Sequence, residues 1–385
     1  MEEDIIVQTG KEINEFQTKA VNLLDGFSYN QYDTVRRILL YWNSKFETGE
    51  YDSEGFRKFF YNVNKFRCQV ATKAIDLDTK DIQVIAEDGQ SYYPVWFFEK
   101  ELKHWMKENR FGELLNKIVT DLPIFGTVVV KKVKDKLELV SLKNFIVEQT
   151  ADNLKNARYI IERHYYTPEE LMQMPWDKEA IDKLISNYYD SGGENYIEVY
   201  ERYGQVPETW LGGADEKHFV NSRFIIGNLK PVEKKEQKHS ISDGVILDYA
   251  EIDELPYKEV HWTKTPGRWL GIGIVEELFE TQIRVNEVVN LKAKGLWWTS
   301  LKLYQTRDEM VNRNLLQDAV NGEVIKAQSE INPIVNEERN LSSYGDELNR
   351  WEALMDKQVF TYETIRGERL PSGIPLGSTI IQAQM

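Results

Sequence analysis

Cysteine is nearly absent: Cys68 is the only one in 385 residues. That excludes an intrachain disulfide framework, makes a cysteine-based zinc site untenable, and fits a reducing compartment. No run of about 18 apolar residues occurs, so no stretch reads as a membrane-spanning helix. The opening MEEDIIVQTG is acidic and lacks the basic segment and apolar core of a signal peptide. Histidine is sparse as well. His104, His164, His218, His239 and His261 are scattered, with no metal-ligand spacing. There is no Gly-Lys-Ser/Thr loop and no Gly-x-Ser-x-Gly elbow, so neither nucleotide hydrolysis nor a hydrolytic serine is indicated. Positive charge is in deficit, with a formal net charge of −15. Tight sequence-independent binding of nucleic acid rests on Lys and Arg neutralising phosphates, and this balance argues against it. It does not exclude a wall past which DNA slides without sticking. No cofactor, metal or catalytic residue is expected.

What is present centres on Pro266 to Trp298, PGRWLGIGIVEELFETQIRVNEVVNLKAKGLWW. A turn rich in Gly and Pro leads into one helical pattern, with Val275, Leu278, Gln282, Val285 and Val289 at three- and four-residue steps. Glu276 and Glu277 suit the first turn, and Lys292 and Lys294 the last. Gly295 is the expected stop. GIGIVE contains Gly-x-Gly, but the third glycine and acidic partner of a dinucleotide loop are missing. A tight lead-in to a packed helix accounts for the glycines better than a phosphate does.

Upstream, helical patterns are predicted over 1–26, closed by Gly26, over Asn30 to Asn43, from about Ser53 through Phe56, Phe59, Phe60, Val63, Phe66 and Val70, and over Tyr93 to Val119. In the last of these, Val95, Phe98, Leu102, Trp105 and Met106 form the expected buried set. Ile75 to Gln90 alternates like short strands around an Asp88-Gly89 turn. FGTVVVKKV, KLELVSL and NFIVEQ read as three consecutive strands of one small antiparallel sheet, with Lys134-Asp135 in the first turn. Tyr159 to Thr167, Asn195 to Gly204, HFVNSRFIIGN and GVILDYAEIDE add further strands, the last two separated by a Lys-rich loop from Lys230 to Ser240. Thr167-Pro168-Glu169-Glu170 is a helix start, with Thr as N-cap and Pro at the first position. A second helix is expected from about Asp177 to Tyr189. The fold class is α+β, with helices first and antiparallel strands later.

Downstream, SLKLYQTRD is strand-like, Asp308 to Val320 could form a short helix, and GEVIKAQSEINPIVN a strand or hairpin. From Leu341 a second long pattern begins, through Tyr344, Leu348, Trp351, Met355, Gln358, Tyr362 and Ile365. Two readings of this helical pair stay open. It could be a helical hairpin within an ordinary core, or two helices flanking an inserted β-rich segment of about 300–338 in an oligomer whose contacts come from repeated copies. The abundant paired carboxylates, such as Glu169-Glu170 and Glu276-Glu277, sit in first turns and need no catalytic role.

The order of elements resembles the portal proteins of tailed double-stranded DNA bacteriophages, most closely those of the crAss-like phages. The stretches that carry this are Asn30 to Phe66, Phe125 to Phe145, Glu368 to Ser378 and, above all, Glu254 to Trp298. The resemblance implies a homo-oligomeric ring, usually a dodecamer of about twelve subunits, at one capsid vertex of the virion, with assembly in the host cytoplasm. DNA would enter and leave through its axis, touching it only transiently and non-specifically. The major capsid protein, the large terminase motor and the head-tail adaptor would be partners, and no membrane is involved. Laid onto this chain, 1–265 would be wing, 266–299 the first stem helix, 300–338 clip and 339–368 the second stem helix. Residues 369–385 would begin the tunnel-loop and crown region, in a sequence expected to be truncated. Val275, Leu278, Val285, Val289, Leu348, Trp351 and Met355 would pack the stem. Tyr304, Gln305 and Arg307 would lie in the clip, and Lys292 and Lys294 would be channel-side basic residues. The alternatives are a hydrolase, carbohydrate-active or other, using two carboxylates about 5–10 Å apart across a cleft, and a smaller connector or adaptor.

Overall fold

A computed structural model describes residues 2–24, 27–75, 79–86, 92–190, 196–211, 218–229, 241, 243–300, 303–307, 329–334 and 341–359. The chain is a mixture of helices and antiparallel strands. Its described residues divide into two compact units: those within 1–43 and 64–277 in the first, those within 44–63 and 278–359 in the second.

The first unit is built on a five-stranded antiparallel sheet in sequential order: β5 (Phe145–Val147), β6 (Tyr159–Tyr166), β7 (Ile197–Pro207), β8 (Phe219–Asn228) and β9 (Gly244–Glu251). Alternation along these strands sends neighbouring residues to opposite faces. Phe224 and Ile226 of β8 join Tyr200 of β7 and Ile161 of β6 against α1 (Glu2–Thr18), which contributes Ile5, Ile6, Ile13 and Phe16. Ile225 joins Val199 and Leu247 against Ile181, Leu184 and Ile185 of α7 (Lys178–Asp190). α7 follows the short α6 (Pro168–Met172), which opens with a complete capping box between Thr167 and Glu170. A three-stranded sheet of order β10-β3-β4 adjoins: β3 (Thr127–Val133), β4 (Lys136–Val140) and β10 (Tyr257–His261). A third core, including Val129, Val140, Phe145, Ile160, Tyr203, Tyr257 and Trp269, draws on both sheets.

Several sequence expectations are corrected. The 1–26 pattern stops at Thr18, and β1 (Val21–Leu24) pairs with β2 (Phe27–Tyr29); Gly26 lies outside the described residues. α2 (Gln31–Trp42) forms, capped by Asn30. The third helix begins only at Val63, as α3 (Val63–Ala74), because the segment before it is held extended by other side chains. No strand forms among the described residues of 75–90; a short 3₁₀ turn over Thr79–Asp81 occurs, and Asp88-Gly89 is not described. Tyr93 to Val119 is two helices, α4 (Tyr92–Glu108) and α5 (Phe111–Phe125), broken where Arg110 takes a left-handed conformation. In α4, Met106 is buried but Phe98 is 58% exposed. NFIVEQ does not extend the β3–β4 hairpin: β5 pairs with β6, and the free edge of β3 takes β10. The Lys-rich loop is not described.

The glycine-rich lead-in has a geometric explanation. Gly126 ends α5 with φ +74, and a Cβ there would lie 2.3 Å from the Gly273 nitrogen. A Cβ on Gly271 would meet the Gly126 oxygen at 2.5 Å, and one on Gly273 the Gly126 nitrogen at 2.5 Å. Two backbones cross in contact, which only glycine permits. The Gly271 N–H donates to Thr127 Oγ1 at 2.7 Å, and the Trp262 N–H to the Gly126 carbonyl at 2.9 Å. Gly273→Ala is expected to destabilise the chain by about 2 kcal/mol or more through backbone displacement. Gly112→Ala, whose Cβ would meet nothing closer than 3.9 Å, is expected to be neutral or slightly stabilising. Paired thermal melts check this.

Candidate functional site

The expected helical rod is not one helix. It forms as α8 (Ile274–Glu277), which closes the first unit, then a turn at Leu278, then α9 (Phe279–Ser300) in the second unit. α9 runs through Gly295, which is buried within the helix instead of ending it. Its length is about 33 Å at 1.5 Å per residue. α10 (Leu341–Gln358) packs alongside α9. Between them in sequence, β11 (Leu303–Gln305) pairs antiparallel with β12 (Asn332–Ile334).

Of the residues expected to pack the helical pair, Val275 falls in α8, apart from the other six. Leu278 and Val285 are fully buried, Val289 is half-buried, and on α10 Met355 is buried while Leu348 and Trp351 are half-buried. Gln358 is exposed, and Tyr362 and Ile365 lie outside the described residues. Tyr304 pairs with Pro333 and Gln305 with Asn332; these four and Arg307 are all exposed. A two-stranded ribbon of this kind has little stability of its own. Lys292 faces α10, where a Cβ on Gly345 would sit 3.8 Å from its Nζ. Lys294 is already engaged: its Nζ pairs with Glu54 at 2.5 Å and lies 5.3 Å from the Phe56 ring centre. The expected helix over 308–320, most of the 322–336 strand or hairpin and the loop from Leu370 to Ser378 lie outside the described residues.

The sequence reading missed what α9 does with its amides. Gln282, Asn286 and Asn290 are spaced four residues apart and form a ladder for the extended segment before α3. Asn290 Oδ1 accepts from the Phe59 N–H at 2.7 Å while its Nδ2 donates to the Phe59 carbonyl at 2.9 Å. Asn286 Oδ1 accepts from the Tyr61 N–H at 3.0 Å. Gln282 donates to the Tyr61 carbonyl at 2.6 Å and accepts from the Val63 N–H at 3.1 Å. Four helical residues rise about 6 Å, and two extended residues about 6.6 Å, so the two repeats stay in step over this length. The helix thereby serves as a β-partner. The rest of the strap folds back in a turn over 50–58, where the Glu54 and Phe56 N–H groups donate to Asp52 Oδ1 and Lys58 N–H to the Glu50 carbonyl. Phe56 meets Trp297 edge to face at 4.8 Å. The signal for the ladder was available in the Gln-x₃-Asn-x₃-Asn spacing.

Within the first unit, one cluster has the composition of a metal site: Glu162, His164 and Glu201, whose ligand atoms lie within 4.8 Å of one another. Glu162 and Glu201 are directly opposed across β6 and β7. Lys131 of β3 fills the cation position. Its Nζ donates to Glu162 Oε2 at 2.9 Å and to Glu201 Oε2. His164 Nε2 lies 3.1 Å from Glu201, Tyr203 donates to Glu201 at 2.6 Å, and Tyr257 to Glu162 at 2.6 Å. The donor set is closed on itself and does not fit a resident ion without expelling Lys131. Burial would raise the Glu201 carboxyl, but the His164 hydrogen bond and the Lys131 charge outweigh it and hold it at about 2. Burial would lower Lys131, but Glu201 and Glu162 raise it. Burial, with Glu162 and Glu201 beside it, pushes Tyr257 far up. The paired acids at the helix starts are also engaged: Arg268 holds Glu276 at 2.7 and 2.8 Å, and Glu170 closes its capping box.

Asn286→Ala is expected to cost about 1–3 kcal/mol, because the Tyr61 N–H loses its acceptor, and to speed amide exchange at Tyr61. Arg284→Ala on the exposed face of the same helix is expected to stay within about 0.5 kcal/mol. For Glu201, a folded pKa near 2 against an ordinary 4.5 means stabilisation that is full above the unfolded value and disappears as pH falls through about 2. Glu201→Gln is expected to lose on the order of 3 kcal/mol at pH 7, and its deficit against wild type to shrink between about pH 4.5 and 2. Denaturant melts across that range check it.

The family model described as Phage SU10 portal protein matches residues 76–341, more than half of the chain. No curated protein matches.

Proposed function

This chain belongs to the phage SU10 portal protein family, and we propose that it assembles into a ring at one capsid vertex through which the genome is packaged and ejected. The observation that carries this reading is the family match together with the arrangement of the second unit, in which two packed helices, α9 and α10, flank the exposed β11–β12 ribbon. In this reading 1–265 is wing, 266–299 and 339–368 are the stem, and 300–338 is the clip. The amide ladder adds the 44–63 strap to the stem. The ribbon bearing Tyr304 and Gln305, with Arg307 beyond it, is the docking tip for the large terminase motor and later the head-tail adaptor. The major capsid protein surrounds the ring, and duplex DNA passes without sequence-specific contact. Lys292 is the better channel-side candidate, since Lys294 is paired within its own chain. The hydrolase alternative draws no support from the carboxylates: the opposed pair is bridged by Lys131, and Glu276 is held by Arg268.

Mass photometry of the purified chain is expected to show particles of about a dozen 45.2 kDa copies, with a central hole in negative-stain top views. A chain that stays at the single-copy mass at every concentration tested overturns the reading.

A further inference from the structure

The strap over 44–63 is held together by its own contacts. Its two ends meet, where Asn62 Nδ2 donates to Ser44 Oγ at 2.9 Å. Beyond that point its two limbs stay paired. Phe46 lies against Phe60 with ring centres 5.0 Å apart, Lys58 Nζ donates to Thr48 Oγ1 at 2.8 Å, and the Asp52 N–H donates to the Phe56 carbonyl at 2.9 Å. The strap is therefore a hairpin closed on itself, and these cross-limb contacts do not involve α9.

Its grip on α9 is of another kind. Phe59, Tyr61 and Val63 each give a backbone N–H to a side-chain oxygen, of Asn290, Asn286 and Gln282 in turn. At the bend of the hairpin, Glu54 pairs with Lys294 and Phe56 meets Trp297. The order is reversed along the helix, from Val63 at Gln282 to Phe56 at Trp297, a span of about 22 Å at 1.5 Å per residue. Neutral hydrogen bonds are individually weak because water satisfies the same groups when they part, and a half-exposed ion pair adds little. The rings that could have anchored the held segment stay largely outside, with Phe59 60% exposed and Tyr61 39%. α9 has support of its own: Leu278 and Val285 are buried, and the helix packs on α10. The last rung also reaches α3. Val63 is the first residue of that helix, so its N–H has no intrahelical acceptor, and Gln282 supplies one.

We propose that the strap is a clasp, which opens from α9 and closes on it as one body while α9 stays packed on α10, releasing the cap of α3 each time it opens. The rungs act together because the hairpin fixes their mutual positions: once one is made, the others form at high effective concentration. Segments with little buried apolar surface are the ones that open below the global unfolding free energy. An open clasp bares the amide face of α9 and the backbone edge of the strap at once, and an uncovered edge of that kind pairs readily with another extended segment.

Amide hydrogen exchange on the whole chain tests this, with the Phe59, Tyr61 and Val63 N–H groups as reporters. In the wild type the three are expected to show equal protection with little dependence on sub-denaturing urea, whereas α9 backbone amides around Val285 follow a steep dependence. Asn286→Ala, which removes the acceptor of Tyr61 alone, is expected to speed all three about tenfold. Trp297→Ala lies outside the ladder and removes only the contact at the bend. It is expected to speed all three by a common factor of about two to ten. Acceleration at Tyr61 alone in the first variant, no acceleration of the three in the second, or wild-type reporters with the protection and urea dependence of α9 itself overturns the clasp. None of these results bears on the ring reading, which particle mass decides.

Discussion

Two glutamates, Glu162 and Glu201, stand directly opposite each other across β6 and β7. Like charges in that relation repel, and both are nearly buried. The first unit is consistent with this only because Lys131 reaches over from β3 and takes both carboxylates. β3 belongs to the other sheet, so the cation that relieves the repulsion is also the tie between the sheets. Tyr203 and Tyr257 complete the remaining hydrogen bonds from either side. The core of Phe145, Ile160, Tyr257 and Trp269 then closes around a polar centre that has its partners. Replacing Lys131 alone would leave two buried charges facing each other, a larger penalty than losing any one apolar contact in that core.

A related economy governs α1 and the lead-in to α8. Arg202 of β7 is almost wholly buried and reaches Glu12 of α1 through two hydrogen bonds of 2.7 Å. Bidentate geometry fixes the helix in rotation as well as in position. Arg268 does the same with Glu276, while its guanidinium lies 4.7 Å from the Tyr29 ring centre. The turn before α8 is thus pinned by an ion pair on one side and by the glycine crossing with Gly126 on the other. In the second unit the work passes to neutral amides. Gln282, Asn286 and Asn290 hold the strap through its backbone N–H and carbonyl groups.

Much of this was legible in the chain alone. The strands from Tyr159 onward, the Thr167 cap, the two long helical patterns and the α+β class follow from period, capping chemistry and turn residues, which act over a few positions. The family resemblance drew on four stretches, of which the family match covers Phe125 to Phe145 and Glu254 to Trp298. The errors share one cause. Phe56, Phe59, Phe60 and Val63 have helical spacing, yet Phe59 to Asn62 stays out of the helix because α9, more than 200 residues away, binds its backbone through side-chain amides. NFIVEQ reads as the next strand of a hairpin, yet it pairs with β6, because strand pairing is decided by which partner also buries the side chains.

Sequence by itself determined the element types wherever local propensity was unopposed, and, with Cys68 as its single cysteine, that no intrachain disulfide forms. It also contained the amide spacing on α9 and the glycines around Gly271, though not their meaning. Tertiary structure decided which edge takes which strand, that Lys131 neutralises an opposed glutamate pair, that Lys294 is bound to Glu54, and that α4 leaves Trp96 and Phe97 in solvent. These are facts about partners far apart in the chain. Local periodicity carries no information about them, because the energy of a buried charge, a backbone crossing or an open aromatic face is set by what lies across the gap.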